Sequence, residues 1–236
     1  MTWQSIIQIA GVRDAAEAAM LVKAGVRWLG FPLRLDVHRE ELTDADAAAI
    51  IRGLPRRVIP VLITYLDRAN ELAGRCRSLG VRVVQLHGEI APAEIAALRK
   101  TMPGLGVIKA LVVRGDNLRE LTAAVHACAP FVDAFLTDTF DPATGASGAT
   151  GKVHDWTLSR RLVALSSRPL ILAGGLTPEN VGAAIRAVRP AGVDCHSGVE
   201  DAGGAKDAQR VRGFLAAARD GFAACAEGSH SGGARL

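Results

Sequence analysis

The sequence predicts a single-domain (β/α)8 TIM barrel, and three observations carry that expectation. Short apolar runs alternate with helix-like stretches eight times along the chain, always in strand-then-helix order, the pattern of a parallel sheet closed on itself. The length of 236 residues suits one such barrel and does not require a second domain. Near the C-terminal end, two successive strand-like runs stop at glycine turns, Ala173-Gly174-Gly175 and Ser197-Gly198. Neighbouring strand ends of this kind are where a barrel builds its binding loops.

In order, Ser5–Gly11 is the first strand and Asp14–Ala24 its Ala-rich helix, stopped by Gly25, a residue free to take the left-handed conformation that ends helices. Trp28–Leu33 is the second strand. After the polar connection Arg34–Glu40, Thr43 caps a helix that stops near Gly53. Val58–Thr64, Val83–Leu86 and Gly106–Val113 are the next strands, with helices over Asp67–Leu79, Ala91–Lys100 and Asn117–Cys128. Ala134–Thr139 is the sixth strand and opens into the glycine-rich loop Asp141–Lys152, with a helix over Thr157–Leu165 beyond it. Leu170–Leu172, wholly apolar, reads as a strand buried on both faces. Thr177 as N-cap with Pro178 at the first helical position predicts a helix running to Val188. Gly192–His196 is the eighth strand, and a last helix covers about Lys206 to Ala218. The barrel is expected over residues 1–223, with the small, polar residues 224–236 as a flexible tail.

Composition narrows the function classes. Hydrophobic residues make up 49% of the chain, enough for a large core, while aromatics at 4% leave that core to Ala, Val, Leu and Ile. A net charge of +4, with no basic stripe interleaved with aromatics, argues against nucleic acid and suits a small anionic ligand. Cys76, Cys128, Cys195 and Cys225 are scattered and form no CxxC pair, so they read as reduced thiols, not as a disulfide framework or a zinc site. No apolar run approaches the roughly 20 residues needed to cross a bilayer. The N-terminus enters the first strand almost at once, leaving no room for a targeting segment. A cytoplasmic protein with neither a membrane nor a nucleic-acid partner is expected; the sequence leaves its oligomeric state open.

The strand ends hold the chemistry. Gly174 and Gly175 let the backbone approach a ligand with outward N–H groups, and with Ser197 and Gly198 they stand where a barrel holds a phosphate. Gly151, in the glycine-rich loop, is a candidate to cover that phosphate. Asp138 closes the sixth strand, a position that reads as catalytic in barrels. His87 follows the fourth strand as a hydrogen-bonding residue. Lys109, on the fifth, could form a Schiff base, although an ion-paired interior lysine is the preferred reading. Strand alternation puts Asp194 and His196 on one face and Cys195 on the other; if that face is the barrel interior, His196 points into the mouth, where a neutral imidazole can take a proton. Asp36, His38, His154 and His196 are ligand types that suit a divalent metal, but spacing alone does not bring them together, so no metal and no cofactor is assigned.

Several of these pieces together resemble one family, the phosphoribosylanthranilate isomerases of tryptophan biosynthesis. The resemblance covers about residues 5–220. It is carried by Gln85-Leu-His-Gly88, Ile108-Lys-Ala110, Thr150-Gly-Lys152 with Asp155-Trp156, the run Leu170–Val181, and Gly192-Val-Asp194 with Ser197-Gly-Val-Glu200. It implies an Amadori rearrangement of an N-ribosyl amine bearing a 5′-phosphate. A general acid helps open the ribose ring, and a general base removes the proton from C2′ of the resulting imine. Asp138, in Leu-Thr-Asp-Thr, matches the family's acid. The family's base is a cysteine at the end of the first strand, within Lys-Ile-Cys-Gly. Here that run reads Gln8-Ile-Ala-Gly11, and the methyl group of Ala10 cannot take a proton.

Other departures gather around the same mouth. Arg39 is the nearest match to the arginine that contacts the anthranilate end in the family, while the accompanying tyrosine is absent. His154 stands where members often carry Phe, and Cys195-His196 replaces a Ser or Val–Ser. The resemblance implies substrate contacts at Arg39, His87, His154 and Asp194. The leading expectation is therefore an aldose–ketose isomerase acting on a phosphorylated sugar derivative, N-(5′-phosphoribosyl)anthranilate by default, with Asp138 as acid and His196 as replacement base. Two others stay open: a divergent phosphosugar lyase, aldolase or epimerase with a rewritten site, and a catalytically silent phosphate-ligand-binding protein.

Overall fold

The structure, a computed structural model, describes residues 2–34, 42–139 and 155–230. Its strands are β1 Ile6–Ala10, β2 Trp28–Pro32, β3 Ile59–Thr64, β4 Val83–Leu86, β5 Gly106–Val113, β6 Ala134–Thr139, β7 Leu170–Leu172 and β8 Gly192–Cys195. They pair in parallel in chain order, and β8 returns to β1, closing the barrel. The helices between them are α1 Ala15–Ala24, α2 Asp44–Gly53, α3 Ala69–Leu79, α4 Pro92–Thr101, α5 Leu118–Cys128, α6 Trp156–Leu165, α7 Val181–Val188 and α8 Ala208–His230. None of the described helices is long and apolar enough to cross a membrane.

Local chemistry sets most of the boundaries. The Asp14 carboxylate accepts from the Glu17 amide at the start of α1, and Thr43 does the same for Asp46 at the start of α2, each satisfying an amide that a helix end leaves unpaired. Gly25 ends α1 with φ +98, its N–H bonded to the Leu21 and Val22 carbonyls. The start of α7 lies later than Thr177 and Pro178 suggest. Asn180 Oδ1 accepts from the Thr177 amide and Thr177 Oγ1 from the Glu179 amide, so the segment makes a side-chain-braced turn first. At the other end of the chain, α8 continues to His230, past residue 224, where the composition suggests a polar tail.

The pleat sorts side chains into two layers. Ile6, Ala10, Val61, Ile63, Val83, Ile108, Ala110, Leu136, Ile171 and Ala173 point inward and fill the lumen, while the larger cluster lies between the sheet and the helices. Because Ile108 and Ala110 face inward, Lys109 faces out toward the helices. Its ammonium donates to the carbonyls of Gly88 and Ala110, and burial lowers its pKa. Lys109 is thus not a lumenal Schiff-base lysine; it is buried outside the lumen, and among the described residues no carboxylate forms a salt bridge with it. The β1–β8 seam is tied from outside by buried Glu17, which accepts from the Arg13 and Lys206 amides.

The β7 and β8 ends are locked together by one close approach. A Cβ on Gly198 would overlap the carbonyl oxygen of Leu176, so only glycine lets the 3₁₀ turn Ser197–Val199 dock on the loop after β7. Replacing Gly198 by Ala should lower the stability to urea by about 1–3 kcal/mol, the usual cost of overpacking a closed site. A change of only a few tenths would show that the two turns are free to separate.

Candidate active site at the barrel mouth

Three strands set the central geometry. Thr137 of β6 is in register with Leu172 of β7, and Leu172 with Val193 of β8. One step further along, Asp138, Ala173 and Asp194 therefore share a level. The next partner across the seam is Gln8 of β1, paired with Asp194. With strands about 4.8 Å apart, the carboxylates flank a single alanine methyl on the concave face of the sheet.

Both carboxylates are buried, Asp138 at 5% and Asp194 at 8% exposure. Burial pushes Asp138 up to about 6, partly offset by the Thr139 amide that donates to its Oδ1. Asp194 is pushed up to about 7, first by burial and then by the charge of Asp138, with Gln8 and Lys206 pulling the other way. Asp194 Oδ1 is buried without a hydrogen-bond partner among the described residues, and so is the Oε1 of its neighbour Gln8. A buried polar oxygen left unpaired costs free energy, and such atoms are rare outside places completed by a ligand or water.

A second set of polar groups crosses the lumen from β1 to β4 and on to β6. Gln8 Nε2 donates to Gln85 Oε1 at 2.8 Å, and Gln85 Nε2 lies 2.9 Å from His87 Nε2. With the Gln85 amide as donor, a neutral His87 ring carries its proton on Nδ1, the nitrogen 3.9 Å from Asp138 Oδ2. Tyr65 packs at a tilt against the ring, 5.6 Å between centroids. In the structure His87 thus sits beside the acid. Gln8 and Gln85 enter the sequence reading only as the first residues of two runs, with no role given to them, yet each is an inward-facing polar residue in an otherwise apolar strand, a signal that period-2 alternation exposes.

The glycine turns meet above this level. Gly174 and Gly175 both take left-handed φ angles, +93 and +61, a backbone path that side chains disfavour. Among the described residues no protein acceptor bonds the amides of Gly174, Gly175 or Ser197. Gly198 differs from these three. Its amide faces the Cys195 thiol, its carbonyl accepts from Arg210, and its missing side chain serves packing.

Position 10 is closed. Ala10 is 3% exposed and belongs to the inner apolar cluster. A Cβ on neighbouring Gly30 would come within 3.1 Å of the Ala10 methyl and 2.6 Å of Ile63 Cδ1. The reach of His196 differs from the alternation reading, because β8 ends at Cys195 and the backbone turns at His196, ψ −86, into the 3₁₀ turn. Its ring lies end-on against Gly11, whose Cβ would overlap it, and Nε2 is 3.5 Å from Glu200 Oε1. Glu200 is also held by Lys206 Nζ at 2.5 Å. Arg39, Gly151 and His154 lie outside the described residues, as do Asp36 and His38 of the candidate metal group, of which His196 alone is placed.

The raised carboxyls predict how stability follows pH. Unfolded aspartates release their protons near pH 4, whereas these two hold theirs to about 6 and about 7 when folded. The folded state then binds more protons between those limits, so stability falls as pH rises through that window and levels off above it. Replacing Asp194 by Asn removes an ionisation cost. At pH 8 the variant should exceed the wild type by on the order of 2 kcal/mol in urea unfolding, with the difference vanishing near pH 4. A variant less stable at pH 8 would contradict this.

Comparison with known proteins converges on one group. A family model described as N-(5′-phosphoribosyl)anthranilate (PRA) isomerase matches residues 7–217. The chain is 41% identical over 220 residues to N-(5′-phosphoribosyl)anthranilate isomerase 2 of Methanosarcina mazei, covering 92% of this chain and 95% of that one. Among solved structures, phosphoribosyl anthranilate isomerase from Thermotoga maritima superposes with a TM-score of 0.76 at 32% identity, covering 91% and 98% of the two chains. Another such isomerase, solved in complex with reduced 1-(o-carboxyphenylamino)-1-deoxyribulose 5-phosphate, is similar at a TM-score of 0.74 and 31% identity, covering 91% and 98%. With the closed barrel, the carboxylate at the end of β6 and the glycine turns of β7 and β8 already in place, the chain belongs to the N-(5′-phosphoribosyl)anthranilate isomerase family.

Proposed function

We propose that this chain isomerises N-(5′-phosphoribosyl)anthranilate to the 1-(o-carboxyphenylamino)-1-deoxyribulose 5-phosphate skeleton, an internal aldose–ketose rearrangement. The observation that carries this reading is the placement of Asp138, a buried carboxyl raised to about 6, beside the strand that leads into Gly174 and Gly175. The ligand held by the similar solved isomerase has the matching skeleton: an aromatic amine, an open sugar and a terminal phosphate.

In this reading the amides of Gly174, Gly175 and Ser197 grip the 5′-phosphate, because unpaired backbone N–H groups at a glycine turn suit an anion. Asp138, kept partly protonated by burial, gives its proton to the ribose ring oxygen as the ring opens. His87 positions that carboxyl through its Nδ1 side. Arg39, Gly151 and His154 are assigned to the substrate-facing mouth on the family resemblance alone. The anion preference fits a cytoplasmic biosynthetic enzyme acting on a phosphorylated small molecule.

The test supplies the labile substrate in situ, from anthranilate and phosphoribosyl pyrophosphate with the appropriate transferase, and follows its conversion by chromatography. The wild-type chain should turn it over, and Asp138→Asn should lower kcat by about 10²–10⁴-fold while binding of inorganic phosphate persists. A folded wild-type protein that fails to convert the substrate would overturn the assignment.

A further inference from the structure

With the thiol of position 10 gone, the reaction needs another group to take the C2′ proton. We propose that the carboxylate of Asp194 is that proton acceptor, an assignment that rests on the isomerase reading above.

Among the described residues, the inner-layer cluster to which Ala10 belongs is apolar and offers no proton acceptor. The Ala10 methyl is packed against Gly30 and Ile63, and the inward residues of the adjoining strands there are apolar. Among the described residues His196 is the imidazole beside Gly11, but its Nε2 edge is turned to the Gly11 backbone and to Glu200 Oε1. About a third of the His196 side chain is exposed, outside the enclosed level where the carboxylates lie.

Asp194 has the opposite properties. It faces the lumen in register with Gln8, it is more than nine-tenths buried, and its Oδ1 has no partner among the described residues. It shares its level with Asp138, separated by Ala173 alone. The strand between them, β7, runs straight into Gly174 and Gly175. A sugar anchored by its phosphate at those amides hangs over Ala173, with one carboxyl group on either side.

The proton accounting closes without another reagent. Asp138 gives a proton to the ring oxygen as the C1′–O bond breaks, leaving an open-chain iminium. Asp194 takes the C2′ proton, the C2′–H electron pair becomes the C1′=C2′ bond, and the iminium π pair moves to nitrogen. The C2′ hydroxyl proton then returns to Asp138 as the ketone forms, and Asp194 delivers its proton to C1′. Both carboxyls end as they began, and nothing is oxidised or reduced overall.

The test uses the full chain and the in situ substrate. Asp194→Asn should lower kcat by about 10²–10⁴-fold with a change in KM of only a few fold. Adding Ala10→Cys to that variant should restore kcat to within about tenfold of the wild type, because a thiolate then supplies the missing base. Substrate deuterated at C2′ should show a primary isotope effect on the wild type. The rising limb of the kcat profile should move to higher pH in the rescued double variant, where a thiol must ionise in place of a carboxyl; the titratable groups that face Asp194 are Asp138, with His87 behind it, Lys206 and Cys195. Retention of more than a tenth of kcat by Asp194→Asn overturns the proposal. So does a double variant that binds inorganic phosphate but stays inactive, which would make Asp194 a positioning group. Loss of kcat in His196→Gln alone, with Asp194→Asn near wild type, moves the role to the imidazole and likewise overturns it. Absence of turnover in the wild type sinks the isomerase reading itself, a separate result.

Discussion

An inward-facing carboxylate in a closed parallel barrel has little access to water, and here two of them occupy one level, on β6 and β8. The pleat decides this. Once Leu136 and Ala134 face the lumen, Asp138 must follow them, and Asp194 is likewise fixed by the register of β8 on β7 and β1. Neither carboxyl can rotate out to solvent without breaking a strand pair. The protein answers the electrostatic cost by letting the pKa values rise instead of by supplying cations. A lysine is at hand in Lys206, but its ammonium is spent on Glu200 and the His196 carbonyl.

The polar groups that remain are arranged around that constraint. The Gln8–Gln85–His87 string spans the lumen and gives the buried amides and the imidazole most of their partners, while leaving one oxygen on Gln8 and one on Asp194 unmatched. Such partial satisfaction is costly for folding alone. It is what a pocket looks like when a hydroxyl-bearing ligand is to complete it. Close packing at the rim works in the same direction: Gly11 admits the His196 ring and Gly198 admits the Leu176 carbonyl. The β1, β7 and β8 ends are thereby held as one rigid collar around the carboxylate level.

Most of the fold was legible because it follows from local rules. Apolar runs bounded by glycine marked all eight strands to within a residue or two, and Gly25 and Thr43 marked helix ends by mechanisms that need no tertiary context. Errors arose where a local rule met a longer-range contact. His196 was carried one residue too far along β8, because nothing in Gly192–His196 announces the turn that docking on Leu176 imposes. Lys109 was placed inside for want of the facing of Ile108 and Ala110, and the Thr177 turn displaced the start of α7. At the site, Asp138 and the glycine turns were readable as strand ends. The bond from Gln8 to Gln85 joins residues 77 apart in the chain, and no spacing rule reaches that far.

The methyl at position 10, where the resemblance to the family implies a thiol, is then best understood through the number of protons the site holds, not through what stands in the thiol's place. An aldose–ketose isomerase needs one donor and one acceptor available in the same protonation state. A thiol paired with a carboxyl meets that need by having two different intrinsic acidities. Two carboxyls at one level meet it by repulsion: ionising the first makes ionising the second harder, so near neutral pH the pair prefers to keep one proton between them. The order in which Asp138 and Asp194 titrate belongs to the pair and not to either residue, and a phosphate held as proposed on the β7 side would add negative charge that favours the singly protonated state further. Asp194 lies within Gly192-Val-Asp194, one of the runs that carry the chain's resemblance to its family. On the proposal above, a proton acceptor stands on the carboxylate level itself, in register with Gln8, without a thiol at position 10. Ala10 can be small and apolar because the chemistry at this mouth is set by the level of β6, β7 and β8, not by the end of β1.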